Sequence, residues 1–169
     1  MSMSKEKTTK STDAQIGRTR LRKAWIVTVK GYDKSVTYYA ATAGKARMQA
    51  WYSIDSDTVR IVDIVVRRNA AADVLLPAPG PIALSLSDPE SRALLHAFGA
   101  NDVDPTKAGY RDYFYTSPDD PTLCSLASRG LMKAPAGDKW DDGMGYFILT
   151  QEGREAALSL TPLYAMGAA

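Results

Sequence analysis

Cysteine and histidine are almost absent from this 169-residue chain: Cys124 is its one thiol and His96 its one imidazole. A single cysteine closes no internal disulfide, which excludes a disulfide-stapled scaffold. The pair also falls short of a four-ligand Cys/His zinc site, so no metal is expected. Long apolar runs are missing as well, and none approaches the roughly 20 residues of a membrane span. The first residues, rich in Ser, Thr and Lys, hold no hydrophobic stretch of a signal peptide. Neither common glycine-rich phosphate loop occurs. These absences predict a cytoplasmic protein with no membrane contact and no cofactor, and they argue against an enzyme.

What is present is an ordinary globular composition, 45% hydrophobic and 24% charged, with an uneven spread of charge. Residues 1–82 carry 14 Lys and Arg against 7 Asp and Glu, while residues 83–169 carry 7 against 12. Such a split suggests two units facing different partners. The basic half suits phosphates and the acidic half repels them.

Residues 1–22 read as a disordered basic arm, with too little to bury to offset the entropy of ordering. Trp25–Val29 and Val36–Ala40 are strand-like runs around the turn residues Gly31–Ser35. Thr42 can cap a helix from Ala43 to Ile54, whose stripe is Ala43, Ala46, Ala50, Trp51 and Ile54. Val59–Val66 reads as the strongest strand. Residues 23–68 are therefore expected as a β-β-α-β domain with Trp25, Trp51 and the last strand in its core. Residues 69–86, with three prolines between Pro77 and Pro81, read as a stiff linker.

Residues 87–162 form the second expected domain, followed by a tail at 163–169. Ser87 and Glu90 make a capping box for a helix that ends at Gly99. Tyr110–Tyr115 is aromatic enough for a strand. Asp120-Pro121 opens a helix stopped by Gly130, two short strands flank a polar loop at 134–143, and Thr150 caps a last helix to Leu160. The expected class is α+β throughout.

The run Leu123-x-x-Leu126-x-x-Arg129-Gly130-Leu131-Met132, a loop, then Tyr146–Thr150-x-x-Gly153-Arg154 resembles the end of a winged-helix domain over about residues 120–160. The resemblance implies a helix followed by a two-stranded wing. The Tyr38–Arg47 stretch and the aromatic run before Thr116 also resemble small phage and prophage proteins; neither likeness carries over a functional residue. A DNA-reading winged helix presents Arg, Lys, Asn or Gln to base edges and cations to the backbone. Here the reading helix would begin Asp119-Asp120, and the wing mixes Lys133 and Lys139 with Asp138, Asp141 and Asp142. That sign suits a protein partner better than DNA.

Exposed Tyr113 and Tyr115 beside Arg111, with Trp140, Asp141 and Asp142 at the wing tip, are the candidate protein-binding residues. Packing of the tyrosines into the core is the competing expectation. The candidate nucleic-acid contacts are Arg18, Arg20, Arg22, Lys45, Arg47, Arg60, Arg67 and Arg68, for non-specific binding through the basic half. A calcium loop at 137–143 is disfavoured because Trp140 and Leu149 stand where ligands are required. Cys124 reads as a small buried hydrophobe and His96 as a surface or boundary residue. The leading expectation is a phage-type binding protein that occupies a surface of a host protein or nucleoprotein complex, as anti-defence inhibitors such as anti-CRISPRs do. The alternatives are a DNA-binding regulator or architectural protein, for which a homodimer is open, and an enzyme with an unrecognised site.

Overall fold

The computed structural model describes residues 18–54, 57–100, 103–135 and 143–166. The protein is α+β, with five helices and three small sheets among those residues. It divides into two compact units. One comprises 20–76 with 103–106 and 162–166, and the other the remaining described residues.

In the first unit, β2 (Ala24–Val29) and β3 (Val36–Tyr39) pair as an antiparallel hairpin past Gly31, whose φ is 88°. β4 (Ile64–Arg68) pairs antiparallel with the other edge of β2. Helix α1 (Ala43–Ser53) begins where the Thr42 side chain accepts from the Lys45 amide, and it packs on this sheet. Its buried contacts are small: Ala46 and Ala50 face a core built on Val27, Ile64 and Ala40. Alanines let the helix axis approach the strands closely, and that sets which neighbours stay outside. Trp51, expected in the core, is 40% exposed and packs on Tyr52 instead, because it stands about 100° round the helix from Ala50.

The strand expected over 59–66 is shorter and later. Asp63 accepts from both the amide and the Nε of Arg60, folding Ile61–Asp63 into a 3-10 turn before β4 begins. Local side-chain bonding here overrides β-branched propensity. The expected linker is also structured. Ala70–Ala72 is a 3-10 turn, β5 (Val74–Pro77) pairs with β1 (Thr19–Arg22), and α2 (Pro81–Leu84) follows. Leu76 and Ala83 are buried within it; Pro77 ends β5 and Pro81 begins α2. The end of the expected arm is thus strand β1; residues 1–17 lie outside the described residues. From the expected tail, the Tyr164 hydroxyl accepts from the Lys23 amide and donates to the Leu21 carbonyl.

The second unit follows the sequence closely. The Ser87 side chain caps α3 (Asp88–Phe98), and Glu90 reaches back to the Ser87 amide. The helix ends on Gly99 at φ 76°, where a Cβ would come within 2.2 Å of the Tyr110 ring. β6 (Tyr113–Thr116), α4 (Pro121–Ser128), β7 (Met132–Lys133), β8 (Gly145–Leu149) and α5 (Gln151–Leu160) complete it, with antiparallel sheet order β6-β8-β7. Leu94, Leu123, Leu126, Leu131 and Phe147 fill the core. The Thr150 hydroxyl donates to the Gly130 carbonyl and accepts from the Gly153 amide, tying α5 to the turn after α4. Gly153 is required by proximity, since a Cβ there would lie 1.9 Å from the Leu131 carbonyl oxygen.

Candidate protein-binding face of the C-terminal sheet

Alternation along β8 sends Gly145, Phe147 and Leu149 inward and Tyr146 and Ile148 to solvent. On β6, Tyr113 and Tyr115 face outward. The antiparallel register sets Tyr113 opposite Ile148 and Tyr115 opposite Tyr146, and it sets Lys133 of β7 on the other side of Ile148. The three tyrosines touch. Tyr146 meets Tyr113 edge-on at 5.3 Å between centroids and Tyr115 at 4.7 Å with a 39° tilt. Yet Tyr113, Tyr115, Tyr146 and Ile148 each keep 38–40% of their surface exposed. No carboxylate belongs to the outward set of these strands among the described residues.

Arg111 borders this patch. Its guanidinium carbon lies 5.5 Å from the Tyr113 ring centroid and 5.7 Å from that of Tyr110, within range for cation–π attraction to both. One Nη donates to the His96 carbonyl, while the buried Nε has no partner. The His96 ring rests on Phe114 at 4.6 Å, and burial, helped by the Arg111 charge, holds its pKa below the ordinary histidine value. Behind the sheet's end Asp112 pairs with Arg154 at 2.6 Å.

No protein-family model matches the chain, and no curated protein or solved structure shows significant similarity to it.

Three of the residues nominated from sequence for protein binding, Arg111, Tyr113 and Tyr115, are therefore brought together. Trp140, Asp141 and Asp142 lie outside the described residues, as does most of the loop considered for calcium. Tyr146 and Ile148 were missed, although the signal was in the sequence: Tyr146-Phe147-Ile148 alternates, and Phe147 as the core member forces its neighbours outward. The sequence marks Tyr110 only as the start of an aromatic strand-like run. Among the described residues no group of three or more His, Cys, Asp or Glu could hold a metal.

The cations nominated for nucleic acid are differently placed. Arg22 is buried, and its Nη2 donates to the carbonyls of Pro105 and Pro162 at 3.3 and 2.8 Å. It is a cross-link inside the unit and cannot reach a phosphate. Arg68 pairs with Asp73 and lies 5.4 Å from the Trp25 ring centroid, and Arg60 pairs with Asp63. Arg47 donates to the Ile64 carbonyl at 3.1 Å. Arg20 is partly buried, which lowers its pKa; Arg18, Lys45 and Arg67 are exposed. Arg129, the one cation on the would-be reading helix, faces Glu90 and Ser85. Cys124, expected buried, is exposed, its thiol donating to the Pro118 carbonyl at 3.2 Å.

Proposed function

We propose that this protein works without catalysis, as a binding module that covers a surface of a partner protein with the tyrosine face of its C-terminal sheet. The observation that carries the reading is the mutual packing of Tyr113, Tyr115 and Tyr146 at partial exposure. Rings that brace one another lose little entropy on docking, and tyrosine offers apolar area together with a hydroxyl, the composition of an interface hot spot. Rings leaning on one another at 80° and 39° also leave little open face for stacking a base, which favours protein over single-stranded nucleic acid. Ile148, Lys133 and Arg111 extend the patch with apolar and cationic groups. The class of target proposed is a host protein or nucleoprotein complex, occupied in the manner of a surface-blocking anti-defence inhibitor such as an anti-CRISPR.

The test is affinity capture from nuclease-treated bacterial lysate by wild type and by Tyr115→Ser/Tyr146→Ser, with circular dichroism and thermal unfolding as fold controls. A partner held by the wild type after nuclease and lost by a folded double variant is expected. A partner that disappears with nuclease, or that both proteins retain, overturns the reading.

A further inference from the structure

The proline-bearing stretch before α3 builds a groove in the C-terminal unit. Pro77, Pro81, Ile82 and Leu158 line a cavity of about 360 Å³, with Ala83 and Ala156 buried beneath it. Ile82 is 53% exposed there despite its apolar side chain. Two carboxylates from α5, Glu152 and Glu155, stand in the same lining, and among the described residues no Lys, Arg or His does. Gln151 donates to Glu155 at 2.9 Å and so orients it. A carboxylate at Glu152 complements the start of a helix. That explanation stops at the first turn, and Glu155 lies beyond it.

We infer that this groove docks a short basic segment of a partner protein, its apolar side chains over Ala83 and Ala156 and its Lys or Arg ammonium and guanidinium groups on Glu152 and Glu155. A volume near the low end of the roughly 300–1,000 Å³ of ligand pockets admits a few side chains, not a folded element. Like charge excludes an acidic segment or an anionic membrane surface. The groove shares no residue with the tyrosine face, so this inference is independent of the function proposed above.

The probe is a short, unstructured fluorescent peptide with two leucines flanked by lysines, titrated into the full chain by anisotropy. Saturable binding is expected. It should weaken at least about tenfold in Glu152→Gln/Glu155→Gln and in Ile82→Ser, weaken with added salt, and stay unchanged in Tyr115→Ser/Tyr146→Ser. No saturable binding, indifference to those groove substitutions, or equal binding of a peptide with glutamate for lysine overturns it. Tighter peptide binding by Lys5→Gln/Lys7→Gln/Lys10→Gln would make the chain's own basic segment the occupant. Self-association that the peptide displaces would make it a second copy. Either result overturns the assignment to a partner.

Discussion

Glu90 shows how one side chain can serve several elements. Its carboxylate accepts from the Ser87 amide and hydroxyl at 2.8 Å and from the Ser125 hydroxyl at 2.7 Å, with Arg129 at 3.5 Å. The Ser87 amide bond, then that from Ser125, depresses its pKa to about 2. Because the folded value lies below the unfolded value of 4.5, the native state binds fewer protons. This stabilisation is full above about pH 4.5 and lost as pH falls toward 2. Glu90→Gln should cost about 1–3 kcal/mol at neutral pH and flatten the acid limb of urea-midpoint measurements between pH 6 and 3. A variant whose acid limb matches the wild type would refute the assignment. Gly153 is equally specific. With the Leu131 carbonyl in its way, Gly153→Ala should lower stability by about 1–3 kcal/mol in urea titrations, although alanine is the better helix former.

Within single elements, β8 offers a contrast between adjacent residues. Phe147 is fully buried and Tyr146 is 39% exposed. Phe147→Ala should destabilise by about 3–5 kcal/mol, whereas Tyr146→Ala should cost less than about 1.5 kcal/mol, read as shifts in chemical-denaturation midpoints. Equal costs would mean that the outward face is packed and unavailable to a partner. Helix α5 depends on its first residues in the same way. Removing the Thr150 hydroxyl unbonds the Gly153 amide and the Gly130 carbonyl together, so Thr150→Val should cost about 1–2 kcal/mol in the same titrations.

For the whole chain, the N-terminal unit depends on residues distant in sequence. Arg22 is held by Pro105 and Pro162, and Tyr164 is bonded to Lys23 and Leu21. Deleting residues 162–169 should therefore raise amide hydrogen exchange in β1 and β2, which lie more than a hundred residues upstream in the chain. Unchanged protection there would refute the closing role of the C-terminal segment. Such contacts also engage some of the cations nominated for nucleic acid. Of the eight basic residues nominated, Arg22, Arg47, Arg60 and Arg68 are committed to carbonyls or carboxylates of their own unit.

Local bonding was legible from the residues alone. The capping box of Ser87 and Glu90, the caps at Thr42, Asp120 and Thr150, and the stops at Gly99 and Gly130 each close within about four residues, so residue type and spacing suffice to place them. Alternation likewise separates Phe147 from Tyr146. Only the tertiary structure placed Tyr146 beside Tyr115, 31 positions apart, made a groove of the proline-rich stretch, and buried Arg22 against carbonyls 83 and 140 residues away. The reason is the range of the forces. Caps and turns are satisfied by neighbours in the chain, whereas a buried cation or a shared aromatic surface is satisfied only by groups that folding brings from elsewhere.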